Sequence, residues 1–366
     1  MVKKDLRGSE SGLGTIALFP RDRAGRVRGV PMKLDAFDAA LVRELQQDGR
    51  VSYQRLAESL GVSREAARAR VHRLLESGTV RVVGIVRPWV VGIGAVAHVS
   101  LDVEGPGRPA AEVAAARPAS SFVSCTAGAR AVVAELRVAD EAALEREFAV
   151  LRSAPGVRGI EVFRCTRLVR DAYSPATDPA GAREAGAEAA PAAPDAAAVP
   201  AVTGVTGVPA AAPPVERPPA VDEVDRTLLG LLQADGRASF AALAERVGLS
   251  QPATRARVLR LLQSGAVHVT GLVDSRAVGV REAVGVGLTV RGGASAAAAA
   301  AARLPGINYV AAGYGRFDVV CGVDASDRPT LLATLDALRA SAGVVRLESW
   351  YHLEIVKESY TYDLPL

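Results

Sequence analysis

The chain of 366 residues has room for two to four domains, and 49% of its residues are hydrophobic while only 4% are aromatic. Its net charge of +4 is modest for this length and favours a polyanionic partner only weakly. The three cysteines have no CxxC spacing, which indicates neither a disulfide framework nor a zinc site. The sequence has no apolar run of membrane-spanning length and no signal-peptide core, so we expect a cytoplasmic protein without membrane contact.

Residues 1–31 mix glycine, serine and charged residues without periodicity, which predicts a disordered N-terminal extension and makes Met32 a candidate translation start. A first module follows at residues 32–82. Asp35 or Asp38 is positioned to cap a first helix, and Asp48-Gly49 ends it. Ser52 then caps a short second helix that Gly61 terminates.

Ser63 is placed to cap a third helix that runs to Gly78. The inward face of this helix is predicted to carry Ala67, Val71, Leu74 and Leu75. Two helices joined by a short turn that contains glycine predict a helix-turn-helix. The following segment, Val80–Val86, is predicted to be a strand that forms either a wing or a linker.

The same module recurs 187 residues later, and 27 of 49 positions are identical when Asp38–Val86 is aligned without gaps on Asp225–Val273. The chain therefore carries one unit twice. Arginine and glutamine supply the cations and forked donors that phosphates and base edges need. On this ground we predict DNA contacts from the two third helices, at Ser63, Arg64, Arg68, Arg70, Arg73, Ser250, Gln251, Thr254, Arg255, Arg257 and Arg260. The alternative is that arginine is simply a good helix former on a solvated face.

Residues 83–170 alternate strand and helix patterns in the order β-α-β-β-α-β, which predicts a ferredoxin-like sandwich. Residues 171–220 are rich in alanine and proline with few large apolar side chains, so we expect a linker. The second helix-turn-helix is predicted at 221–270, and a second ferredoxin-like domain follows at 271–366. The predicted fold class is α+β, with two winged helix-turn-helix domains that are each followed by a βαββαβ sandwich.

These motifs resemble the Lrp/AsnC (feast/famine) family of regulators. The resemblance is carried by Asp48-Gly-Arg-x-Ser52, Leu56-Ala57, Gly61-x-Ser63 and Arg70-Val-x-Arg-Leu74, all of which reappear in the second copy. It implies a regulator of transcription that binds double-stranded DNA, forms homo-oligomers through its ferredoxin-like domains and senses a small effector, often an amino acid. It implies neither a catalytic residue nor a cofactor.

The chain departs from the family pattern because it holds two units, which either form an internal pseudo-dimer or assemble between chains. The family's glycine-rich turn before the third strand has a variant in the second copy, whereas the first copy lacks the carboxylate at the matching place. We therefore expect any effector site at Gly313, Tyr314, Gly315, Arg316, Phe317 and Asp318. The alternative is that Asp318 only pairs locally at a strand end.

A second function is an enzyme similar to sirohaem decarboxylases, which share this two-unit architecture and use basic and histidine residues around a tetrapyrrole. The four histidines of this chain are far apart in sequence, and no His/Arg cluster follows either helix-turn-helix. The rows of arginine favour the regulator. A third interpretation, a ligand-sensing partner that does not touch DNA, predicts loss of those arginines, and they are present.

Overall fold

The computed structural model describes residues 34–171, 220–273, 279–359, 361, 362 and 364. The predicted N-terminal extension and nearly all of the predicted linker lie outside these residues. None of the helices in the described part is long and apolar enough to cross a membrane.

The first helix-turn-helix has the three helices that its capping residues predict: α1 (Ala36–Gln47), α2 (Tyr53–Leu60) and α3 (Arg64–Glu76). Asp35 caps α1, and Asp38 completes a capping box by accepting the Asp35 N–H. Ser63 caps α3 through a hydrogen bond to the backbone of Ala66. Gly61 has a φ of 67°, the left-handed conformation that favours glycine.

The strand after each helix-turn-helix pairs with its counterpart from the other repeat. Strand β1 (Val80–Val86) runs antiparallel to β6 (Val267–Val273), and all seven residues of each strand take part. These are linker strands that join the two modules. A short 3₁₀ helix, Pro88–Val91, then leads into the first sandwich.

The first sandwich follows the predicted β-α-β-β-α-β order. Its elements are β2 (Ala95–Val103), α4 (Arg108–Ala116), β3 (Ser120–Ala127), β4 (Val132–Val138), α5 (Glu141–Arg152) and β5 (Val157–Arg170). Alternate buried side chains along β2 pack against α4 and α5 in one apolar core.

The second half repeats the same plan. Its helix-turn-helix consists of α6 (Glu223–Ala234), α7 (Phe240–Val247) and α8 (Gln251–Gln263). Its sandwich, which follows β6, consists of β7 (Glu282–Val290), α9 (Ala294–Ala301), β8 (Ile307–Gly315), β9 (Val319–Ala325), α10 (Arg328–Ala340) and β10 (Val344–Glu358).

The eight strands of the two sandwiches form one closed barrel in the order β10-β3-β4-β2-β5-β8-β9-β7. Two antiparallel pairs close the barrel between the halves, β5 with β8 and β10 with β3. A separate apolar cluster lies at the first of these seams and includes Phe163, Tyr309 and Phe317. The described residues of a single chain therefore form an internal pseudo-dimer, one of the two arrangements left open by the sequence.

Candidate functional site

The third helix of each helix-turn-helix, α3 and α8, is here called the recognition helix. Four side chains that we predict to contact DNA are exposed near the beginnings of these two helices. They are Arg64 and Arg68 on α3 and Gln251 and Arg255 on α8. Within the described part of the chain these side chains have neither a hydrogen bond nor an ion pair. They are therefore available for phosphates or base edges.

The other arginines of the recognition helices hold their own modules together. Arg70 donates to Asp35 at 2.7 Å and to Asp38 at 2.9 Å, and Arg73 donates to Asp38 at 2.8 Å. In the second copy Arg257 and Arg260 bind the equivalent carboxylates, Asp222 and Asp225. Arg70 and Arg257 therefore have a structural role, because they bind carboxylates at the N-terminus of the first helix of each module. Their contact with DNA, like that of Arg73 and Arg260, stays a prediction.

These ion pairs help to lower the pKa of Asp35 and Asp222 and raise the pKa of Arg70 and Arg257. The hydrogen bond from the backbone of Asp38 and then the Arg70 guanidinium lower the pKa of the Asp35 carboxyl. In the second copy Arg257 is the main cause of the lowered pKa of Asp222. Asp35 and Asp222 therefore stay charged to a more acidic pH than a free aspartate, and their ion pairs tie α3 to α1 and α8 to α6.

The prediction that Thr254 contacts DNA is corrected, because its side chain is fully buried and not available to a base edge. It occupies the position of Ala67 in the first copy, which is also fully buried. Aligning the repeats places Thr254 on the inward face, so the sequence already contained this signal. Ser63 and Ser250 act as helix caps, each accepting a hydrogen bond from a backbone N–H three residues on.

The predicted effector turn lies at the seam between the halves, where its charged groups have partners. The Asp318 carboxylate accepts the Val290 N–H at 2.8 Å, which is the local pairing named above as the alternative. Arg316 forms ion pairs with Glu161 of the first half and Glu348 of the second. The turn therefore has no open pair of charges for an amino acid among the described residues.

The neighbouring residues of the turn pack against the first half. A Cβ added at Gly313 would lie 2.0 Å from the carbonyl oxygen of Arg164, and one at Gly315 would lie 2.2 Å from that of Val162. Phe317 is buried and stacks on Trp350, while Tyr314 is exposed. This segment takes part in closing the barrel, because β8 pairs with β5 of the first half.

A buried polar network that the sequence did not reveal lies inside the first half. Arg137 donates to Glu135 at 2.6 Å and to Asp171 at 3.1 Å, and all three side chains are buried. Burial alone would raise the pKa of Glu135, but the Arg137 charge and hydrogen bonds from His98 and Ser121 hold it below its usual range. Arg137 also donates to the Tyr362 hydroxyl at 3.0 Å, which links the network to the C-terminal segment.

The structure brings together two histidines that are far apart in sequence. His98 on β2 lies 2.9 Å from the Tyr309 hydroxyl, across the seam between the halves, and 3.1 Å from Glu135 of its own half. His98 and His352, the latter on β10, both line a cavity between the two halves. Burial together with the nearby His98 lowers the pKa of His352 to about 4. The separation of these residues in the sequence concealed their shared location.

Comparison with known proteins identifies the family. The pattern of the AsnC-type helix-turn-helix domain matches residues 34–75 and 221–262. An uncharacterized HTH-type transcriptional regulator of Pyrococcus abyssi is 31% identical over 147 residues, which are 39% of this chain and 92% of that protein. The HTH-type transcriptional regulator LrpA of Mycobacterium tuberculosis is 34% identical over 144 residues, which are 38% of this chain and 93% of that protein. The chain belongs to the Lrp/AsnC family of transcription regulators, as a tandem duplication.

The two-unit fold also has a solved counterpart. The siroheme decarboxylase NirDL superposes with a TM-score of 0.56 over 89% of this chain and 93% of that chain, at 13% sequence identity. At this identity the likeness shows a shared fold.

Proposed function

We propose that this chain regulates transcription by inserting α3 and α8 into major grooves of one DNA duplex. The observation that carries the proposal is the exposure of Arg64, Arg68, Gln251 and Arg255 at the beginnings of two helices whose modules are joined within one chain. Arg68 and Arg255 are suited to phosphates, while Arg64 and Gln251, at the first helical positions, are suited to base edges. A small effector, such as an amino acid, modulates binding.

The two halves of the operator differ in sequence. The first helical residues of α3 are Arg64 and Glu65, whereas those of α8 are Gln251 and Pro252. Arginine forms a bidentate contact with guanine and glutamine with adenine, so the recognition helices α3 and α8 prefer different base pairs. Footprinting that shows a perfect palindrome would count against this arrangement.

Fluorescence anisotropy with the DNA upstream of the chain's own gene tests the regulator at two salt concentrations. We expect tight, salt-dependent binding by the wild type. The Arg68→Ala/Arg255→Ala variant should bind more weakly, with a salt slope reduced by about two, because each lost phosphate contact lowers the slope by about one.

The matched control is Arg152→Ala/Arg303→Ala, which removes one exposed arginine from the sandwich of each half. It changes the net charge by the same amount away from the recognition helices. If both variants lost the same amount of DNA affinity, the loss would be due to overall charge. If the wild type bound this DNA no more tightly than unrelated DNA, the result would contradict the proposal.

A second candidate is binding of an iron tetrapyrrole, since NirDL has also been solved in co-complex with an iron-uroporphyrin III analogue. The observation in its favour is that His98 and His352 border one cavity. A neutral imidazole such as that of His352 is a suitable iron ligand. The arginines that line the cavity fit the carboxylates of such a ring.

Absorbance spectroscopy distinguishes this candidate. A shifted Soret band on mixing with iron-uroporphyrin III, lost in His352→Gln and kept in the exposed-histidine control His72→Gln, would support it. A spectrum identical to that of the free tetrapyrrole would rule it out.

A further inference from the structure

A cavity of about 570 Å³ lies between the two halves and is bordered by both the barrel and the helix-turn-helix pair. One end is lined by Arg43, Gln46 and Gln47 of α1 together with Thr270 of β6. The volume is within the range of small-molecule sites. A molecule in this cavity would touch the DNA-reading modules and the barrel at once.

The charged lining of the cavity includes two cations, Arg43 and Arg170, and four acidic residues, Glu135, Asp171, Asp324 and Glu358. Glu135 and Asp171 are paired with Arg137. The Arg170 guanidinium is half-buried and donates to the carbonyl oxygen of Ala302 at 3.1 Å. It makes no ion pair with a carboxylate among the described residues, and burial lowers its pKa. A half-buried cation of this kind is stabilised by an anion that supplies the missing charge-assisted hydrogen bonds.

The lining also includes apolar and aromatic side chains and buried polar atoms that lack partners among the described residues. The apolar lining includes Phe122, Val284 and Val320. Within the described part of the chain, neither Nε1 of Trp350 nor Nδ1 of His352 has a hydrogen-bond partner. Unpaired buried polar atoms cost free energy, so an occupant that pairs with them is favoured.

We propose that this cavity is the effector site and that it binds a small carboxylate with an apolar or aromatic body. Arg170 and Arg43 hold the carboxylate, and the body lies against Phe122 and Val284. The inference rests on the proposed regulatory function and moves effector binding away from the turn at 313–318.

The position of the site also explains how an effector bound there would influence the recognition helices. Arg43 belongs to α1 of the first module, whereas Arg170 ends β5 of the first sandwich. A carboxylate bound between them connects the module to the barrel. Because α1 is tied to α3 through Asp38, a change at Arg43 reaches the recognition helix.

The test is a fluorescence titration with 3-phenylpropionate in a Trp89→Phe background, where Trp350 is the one remaining tryptophan. Trp350 borders the cavity and reports occupancy directly. We expect a saturable signal that is about tenfold weaker with the neutral 3-phenylpropanamide and in Arg170→Gln, because both remove the charge-assisted pair. The matched control, Arg167→Gln, changes an exposed arginine on the same strand and should leave binding unchanged.

The outcomes separate the site from the regulator. Absence of saturable binding, or equal binding by the acid and the amide, overturns the proposal. Equal binding by wild type and Arg170→Gln overturns it as well. Arg170-dependent binding supports the site even if the protein fails to bind DNA, a failure that would count only against the regulatory function. A Soret shift with iron-uroporphyrin III that 3-phenylpropionate abolishes would place both ligands in this cavity.

Discussion

The guanidinium of Arg50 donates to the carbonyl oxygen of Gly236 at 2.7 Å, while its repeat counterpart Arg237 donates to that of Gly49 at 2.8 Å. Each arginine also covers an aromatic ring of the opposite module, Arg50 over Phe240 and Arg237 over Tyr53. The Asp-Gly-Arg motif therefore does more than end a helix. It joins the two modules about a pseudo-twofold axis.

Arg50→Ala should lower the free energy of unfolding by about 1–3 kcal/mol, since it removes two hydrogen bonds from a charged donor and leaves two carbonyl groups unpaired. Arg50 and Arg237 repel each other, so the double variant should lose less than the sum of the single variants. Urea denaturation measures both effects. The exposed Arg246→Ala is the control, and an unchanged midpoint in Arg50→Ala would contradict the assignment.

Two neighbouring arginines of α3 should differ in how much they contribute to stability. Arg70→Ala removes the bonds to Asp35 and to the buried Asp38, and should lower the free energy of unfolding more than Arg68→Ala does. Arg68→Ala should change stability by less than about 0.5 kcal/mol. Thermal denaturation checks this order, and an equal loss in both variants would refute it.

Gly313→Ala should destabilise the barrel by about 1–3 kcal/mol, because the new methyl group would press on the backbone of β5. Gly293→Ala is the matched control, since nothing lies within 4 Å of its Cβ position. Chemical denaturation of the two variants gives the comparison. Equal stability would show that the seam between β5 and β8 opens without cost.

His352 should make the protein less stable as the pH falls from 6.5 towards 4. Its pKa is about 4 in the folded chain against an ordinary value of 6.5, so the unfolded chain binds more protons in this window. The contribution of His352 to the free energy of unfolding is fully present above pH 6.5 and decreases between pH 6.5 and pH 4. Below pH 4 this group causes no further loss. The effect should be on the order of 1–3 kcal/mol.

Denaturation of wild type and His352→Gln at pH 7 and pH 4.5 isolates this contribution. His268, whose pKa burial also lowers, acts in the same direction and is present in both proteins. The difference between the two pH values should shrink in His352→Gln and remain in the exposed His72→Gln. A difference that persists unchanged in His352→Gln would exclude this histidine as its cause.

Local signals were enough to predict the order of helices and strands. Capping residues such as Ser63 and the alternation along β2 act within a few residues of themselves. The role of Arg70 was not local, because its partner Asp35 lies 35 residues away on another helix. Both members of that pair recur in the second copy as Asp222 and Arg257. This recurrence was a sign in the sequence that the two residues make a structural contact.

The cavity could not be predicted in the same way. His98 and His352 line one cavity because the barrel closes between β10 and β3, more than 200 residues apart in the chain. Pairing between strands of different halves depends on the whole topology and leaves no periodic signal in the sequence. The exposed arginines of the recognition helices, in contrast, follow directly from helical periodicity.

Closure of the barrel within one chain removes the dependence of pairing on protein concentration. Two separate subunits dissociate on dilution, whereas tethered halves meet at an effective concentration in the millimolar range. The β5–β8 and β10–β3 pairs therefore persist when only a few molecules are present. If the chain binds DNA as proposed, both recognition helices reach the duplex together, and occupancy rises with the first power of protein concentration.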